Sequence, residues 1–123
     1  MSEPVILVER DPRGIATVTL NRPQVNNAYD RNVLQSASDG LKELAQDAAL
    51  RALVLRGNGR NFQAGVDLKF QSELAAMSKE ENDAVSLLLT GLMRDLNAFP
   101  VPTIVLIHGA CIGGGTGFAA SCD

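Results

Sequence analysis

The sequence predicts an α/β domain in which helices cross a parallel sheet. Two short, unbroken apolar runs, Ala52-Leu53-Val54-Leu55 and Thr103-Ile-Val-Leu-Ile107, have the makeup of strands covered on both faces. Two other segments place apolar residues at steps of three and four behind a capping residue, as amphipathic helices do. These units alternate along the chain, which favours crossover connections over a sandwich or a bundle. The order read is β-β-α-β-(loop)-α-β-α, within one domain over residues 1–123.

Val5 to Glu9 and Ile15 to Leu20 are β-branched runs joined by Asp11-Pro12-Arg13-Gly14, a tight-turn tetrad, so the chain opens on a hairpin. Asn21-Arg22-Pro23 breaks the second strand. Asp30 then stands as the cap of a helix that buries Leu34, Ala37, Leu41 and Leu44 and leaves Arg31, Asp39, Lys42 and Glu43 to water. The run Ala52 to Leu55 leads into the turn Gly57-Asn58-Gly59, and Lys69 to Met77 reads as a variable loop. Ser78 and Glu81 have capping-box spacing before Val85, Leu88, Leu89, Leu92 and Leu96, and Pro100 and Pro102 end that helix. After the strand from Thr103, the run Gly113-Gly114-Gly115 opens a last apolar helix that stops without a C-cap glycine, a polar tail or a proline. The sequence therefore reads as cut at its C-terminus, with an exposed apolar end at Phe118 to Cys122 that demands a further segment or a neighbouring chain.

Composition excludes several classes. Eleven basic against fourteen acidic side chains give a net charge of −3, which leaves no basic footprint for nucleic acid. With 46% hydrophobic and 20% charged residues the chain has the makeup of a packed domain. No apolar stretch suits a membrane span, and the start MSEPVILVERD lacks the features of a secretory signal, so the expected location is cytoplasmic. Cys111 and Cys122 form no CxxC pair and read as buried thiols.

Two glycine-containing turns, Gly59 to Leu68 and Gly109 to Gly115, each follow a sheet strand and should meet at the carboxyl edge, where open α/β sheets bind ligands. Unpaired N–H groups at the helix start would attract a negative oxygen; equally, the glycines could serve only tight turns. Phosphate-loop readings fail on the letters, because no lysine follows Gly114 and position 118 is Phe118 where a dinucleotide fingerprint needs glycine. That disfavours a nucleotide-binding module. His108 has no second imidazole with which to share a metal, and reads as a strand-end residue or a site-lining group.

These motifs carry a resemblance. Gly14-Ile-Ala-Thr-Val-Thr-Leu-Asn-Arg-Pro23 with Asn27-Ala28, then Asn61-Phe-Gln-Ala-Gly-Val-Asp-Leu68, then His108-Gly-Ala-Cys-Ile-Gly-Gly-Gly115 with Cys122-Asp123, resemble in order the "LNRP…NA", "F-x-A-G-x-D-L" and "G-x-x-x-G-G-G…C-D" motifs of the N-terminal half of the enoyl-CoA hydratase/isomerase (crotonase) superfamily. The resemblance implies a crotonase-like ββα spiral core, truncated before the C-terminal helices. It also implies an acyl-CoA substrate whose thioester oxygen lies between the backbone N–H groups of Val66 and Gly114, an oxyanion hole. Gln24, Asn26, Ala28, Gln63, Ala64, Gly65, Asp67, Leu68 and Gly113 would line the acyl-CoA path, with Asp67 equally a turn-stabilising carboxylate. No metal or separate cofactor is implied, coenzyme A entering as part of the substrate. Family members assemble as trimers or pairs of trimers, which implies a homo-oligomer here.

The chain departs from the family pattern at Gly117, where hydratases commonly carry the first of two catalytic glutamates; the second would lie beyond Asp123. Glu3, Glu9, Glu43, Glu73, Glu80 and Glu81 fall at no catalytic position. A glycine there resembles some glutaconyl-CoA-type hydratases. Two readings follow: an enoyl-CoA hydratase or isomerase whose acid/base is not contained here, or a catalytically silent fragment that binds CoA weakly or forms an oligomeric core.

Overall fold

The computed structural model describes residues 3–123; Met1 and Ser2, at the start of the stretch read for a secretory signal, lie outside it. Strand β1 (Ile6–Arg10) pairs antiparallel with β2 (Ile15–Leu20), and β2 pairs parallel with β3 (Ala52–Gly57), which pairs parallel with β4 (Thr103–Val105). The sheet order β1-β2-β3-β4 therefore follows the chain, with helices α1 (Arg31–Ala45), α2 (Leu68–Ala76) and α3 (Lys79–Asn97) inserted between parallel strands and α4 (Gly114–Ser121) after the last. No helix among the described residues is long and apolar enough to cross a membrane.

Local chemistry accounts for the helix starts. The Asp30 carboxylate accepts from Val33 N at 2.9 Å and the Ser78 hydroxyl from Glu81 N at 3.1 Å, each satisfying an N–H that the first turn leaves without an intrahelical acceptor. Val33, Leu34, Ala37, Leu41 and Leu44 of α1 and Val85, Leu92 and Leu96 of α3 pack with Ala16, Val18, Leu20, Leu53 and Leu55 of the sheet into one core. Burial of each larger side chain contributes roughly 1.5–3 kcal/mol before entropy is subtracted.

Several expectations need correction. Lys69 to Met77 is not a loop but most of α2, whose weak amphipathicity hides it: Phe70 is its sole buried residue and Leu68 is 78% exposed. Strand β3 buries Leu53, Leu55 and Gly57 while Ala52, Val54 and Arg56 stay half-open, so only one face of this strand is fully covered. Strand β4 stops at Val105, leaving Leu106 and Ile107 exposed, and the first strand is shifted one residue on, to Ile6–Arg10. Phe118 does not lie on an exposed end. It is buried edge-on to Tyr29, ring centroids 6.0 Å apart, and Asp123 folds back to exchange hydrogen bonds with Thr103. Both cysteines are half-buried, not buried, and desolvation pushes the Cys122 thiol above its ordinary pKa.

Candidate functional site

The two glycine-containing turns meet at the carboxyl edge of β3 and β4. They are sewn together by Phe62 N donating to His108 O (2.8 Å), Gln63 N to Ala110 O (3.1 Å), Ile112 N to Gln63 O (3.1 Å) and Ala110 N to Asn61 Oδ1 (2.7 Å). His108 is exposed and lies beyond the end of β4 at Val105, not at a strand end; its Nε2 is 2.7 Å from Gly59 O, so it braces the two turns.

A third segment joins from the other side. Tyr29 N donates to Gly65 O at 2.9 Å and Asp67 N donates to Tyr29 O at 2.8 Å. The 65–66 peptide is trans, so its C=O and N–H point in opposite directions. With the Gly65 carbonyl turned to Tyr29, the Val66 N–H must face away from it. No acceptor within the described chain takes that hydrogen, nor that of Gly114 at the start of α4. Gly65 has φ +89°, open to glycine at little cost, and a β-carbon added there would lie 3.3 Å from Ile112 O and 3.8 Å from Gly114 N. Two unpaired amides, one with a helix dipole behind it, therefore belong to touching loops.

Glycine at 114 and 115 has a packing cause as well. A β-carbon at Gly114 would stand 2.6 Å from Tyr29 Cε1, and one at Gly115 would stand 2.9 Å from Gln63 Cβ. Only bare backbone lets α4 settle on these two side chains. Gln63 is fully buried; its Oε1 accepts from Gly65 N at 2.6 Å and its Nε2 donates to Asn27 O at 2.8 Å. It therefore stands behind the loop and shapes it, where a lining role had been expected. Asn27, with φ +59° and 1% exposure, read in the sequence only as part of the "LNRP…NA" motif, is the hub of these turns. Its amide reaches Asn58 O, Asn61 O and Phe62 O, and its Oδ1 accepts from Arg22 N.

A surface cleft of about 490 Å³ beside Val66 gathers Asn26, Ala28, Ala64, Asp67 and Leu68, joined by Val25 and Lys69. Gln24 is not among them; it faces a different cleft, between Glu3–Ile6 and α1. Ala28 is mostly buried, and Gly113 caps α4 at the opposite loop.

Asp67 is the N-cap of α2, accepting from Phe70 N at 3.0 Å, and its other oxygen lies 3.3 Å from Arg22 Nη2. Arg22 also approaches Asp30, the α1 cap, at 3.7 Å and donates to Ala28 O at 2.6 Å. One guanidinium thus ties the starts of two helices to the Asn26–Ala28 turn. The Phe70 amide, with the Arg22 charge, holds the Asp67 carboxyl below its ordinary range against a smaller opposing effect of burial. A depressed folded-state pKa means stability that is present above the unfolded carboxyl range and is lost as pH falls through the folded pKa. In melting curves, Asp67→Asn, which still caps, is expected to lie below wild type at pH 7 and converge with it towards pH 3. Asp67→Ala should lose about 1 kcal/mol more at every pH. Parallel pH profiles for wild type and Asp67→Asn would contradict this role.

A parallel-sheet edge with two such loops, one opening a glycine-rich helix, is an open α/β site, and the comparisons assign it to the crotonase-type fold. The chain belongs to the enoyl-CoA hydratase/isomerase family, whose model matches residues 10–123. Enoyl-CoA hydratase domain-containing protein 2 of Bos taurus mitochondria is 37% identical over 112 residues, 90% of this chain and 37% of that protein. A crystal structure of an enoyl-CoA hydratase from Shewanella pealeana superimposes with TM-score 0.93 at 33% identity, covering 97% of this chain and 44% of that one. One from Mycobacterium smegmatis gives 0.91 at 38% identity over 98% and 46% of the respective chains. The chain thus spans less than half the length of these relatives.

Proposed function

We propose that this chain supplies the thioester-binding part of a crotonase-type acyl-CoA site, the ligand lying in the Asn26–Leu68 cleft with its carbonyl oxygen received by Val66 N and Gly114 N. The single observation that supports it is the pair of acceptor-free amides on touching loops. Fixed donors of this kind stabilise an enolate oxygen as charge develops on it, with no reorganisation at the moment of reaction. The substrate class is a 2-enoyl-CoA, with a glutaconyl-type acyl group as the narrower reading suggested by glycine at 117. Self-association into a trimer or a pair of trimers is part of the proposal, supported by the exposed Ile104, Leu106, Ile107 and Ile112.

A second reading, a silent binder, is favoured by one observation: the space a side chain at 117 would enter is filled by Met93, whose Sδ would lie 2.9 Å from a β-carbon there. No carboxylate occupies that position. Melting temperature with crotonyl-CoA against CoA alone, followed by assay of turnover, tests both readings. Stabilisation should be greater with crotonyl-CoA, approaching about 2.7 kcal/mol at a hundredfold excess over Kd. Val66→Pro, which deletes a donor that serves no internal bond, should lower the preference for crotonyl-CoA over CoA about tenfold. Turnover by wild type would support the enzyme and a shift without turnover the silent binder; equal shifts with crotonyl-CoA and CoA would refute the site.

A further inference from the structure

Tyr29 has more to offer than its backbone. Its ring is buried, with 8% of the residue exposed, wedged between Phe118 and the first turn of α4. The hydroxyl meets no hydrogen-bond partner in the described chain and is not sealed from solvent. Oη would lie 3.0 Å from a β-carbon at Gly114, the residue whose own amide also lacks an acceptor. A phenol whose ring is held this deep while its hydroxyl stays open to solvent can exchange a water for a ligand oxygen. With the Gly114 amide also lacking an acceptor, the first turn of α4 is a place where one oxygen ligand could take both hydrogen bonds.

We propose that the Tyr29 hydroxyl is a third donor at this site, hydrogen-bonding the carbonyl or enolate oxygen of a bound acyl thioester beside the Gly114 amide. The inference rests on the acyl-CoA reading above. Only a hydrogen bond is involved; the proton stays on the phenol. Burial raises the Tyr29 pKa above its ordinary value, which keeps the group in its donor form at neutral pH. The backbone of the same residue clamps Gly65 and Asp67 on either side of Val66, so one residue would set the loop and complete the donor set.

Acetoacetyl-CoA, whose acyl group enolises readily, is the probe, with CoA as the control lacking an acyl oxygen. Tyr29→Phe keeps the ring against Phe118 and Gly114 and removes only the hydroxyl. It should weaken acetoacetyl-CoA binding about tenfold, lower the bound enolate seen by ultraviolet difference spectroscopy, and leave CoA binding unchanged. Tyr29 is the only tyrosine in the chain, so a single 13Cζ resonance reports its hydroxyl in wild-type protein, independently of how the variant folds. That resonance should shift with acetoacetyl-CoA and not with CoA. If Tyr29→Phe binds acetoacetyl-CoA as wild type does, or the 13Cζ resonance stays still while wild type prefers acetoacetyl-CoA over CoA, the third donor is overturned and the acyl-CoA reading stands. If wild type does not distinguish the two ligands, both fall.

Discussion

Asn27→Ala is expected to destabilise the fold by about 2–5 kcal/mol, summed from about 1–3 kcal/mol for the buried Phe62 carbonyl left unpaired and about 1–2 kcal/mol for alanine in the left-handed region. The two amide hydrogens of Asn27 serve three carbonyls, Asn58 O at 2.8 Å, Asn61 O at 2.9 Å and Phe62 O at 3.1 Å, while Oδ1 takes the Arg22 N–H at 2.8 Å. Truncation at once strips the 58–62 turn, the Arg22 amide and a φ of +59° of their support. Urea midpoints measure the loss, which is a large share of the 5–15 kcal/mol typical of a domain. Asn27→Gly separates the causes: it relieves the backbone and should recover about 1 kcal/mol, leaving the hydrogen-bond deficit. A loss below 1 kcal/mol in Asn27→Ala would show that water replaces the amide and that Asn27 is no hub.

What made α1 and α3 legible in the sequence is that their determinants are local. A cap at Asp30 or Ser78 and apolar residues three and four apart act within a few turns of one another. Helix α2 has the same kind of cap at Asp67, but with only Phe70 buried its period is silent. The meeting of the two glycine-containing turns was legible too, because parallel neighbours present their carboxyl ends on one edge. The contacts of the Asn27 amide with the 58–62 turn and of Gln63 with Asn27 O were not, since they span some 31 to 36 residues and no local spacing encodes them. For the same reason Gln24 was grouped with its sequence neighbour Asn26, though the left-handed turn at Asn26 and Asn27 sends the two to different clefts. The glycines at 114 and 115 were read for their amides, whereas the structure adds Tyr29 and Gln63 as the surfaces that require them bare.

Gln63→Glu should turn a pH-insensitive support into a steeply pH-dependent one. As Gln63 stands, Nε2 donates to Asn27 O and Oε1 accepts from Gly65 N, with no surface exposed. A protonated glutamic acid reproduces both bonds, its O–H replacing the amide N–H. The ionised form cannot: it turns an acceptor towards the Asn27 carbonyl and buries a charge. Burial therefore raises the folded-state pKa above the unfolded value of about 4.3, by as much as 3–5 units at a fully buried site. Between the two values the folded state holds a proton that the unfolded state has lost, so stability falls as pH rises, by up to about 1.4 kcal/mol per unit. The variant should match wild type below about pH 4 and be weaker by about 3–4 kcal/mol at pH 7. Gln63→Leu, which leaves Gly65 N and Asn27 O unpaired at any pH, should be uniformly destabilised by about 2–6 kcal/mol. Urea midpoints from pH 4 to 8 distinguish the slopes; a flat profile for Gln63→Glu would mean that the loop opens to hydrate the carboxylate. Because the bond from Gly65 N to Gln63 fixes the backbone immediately before the Val66 amide, the same titration should also weaken the preference for crotonyl-CoA over CoA as pH rises, linking a buried amide to the site it supports.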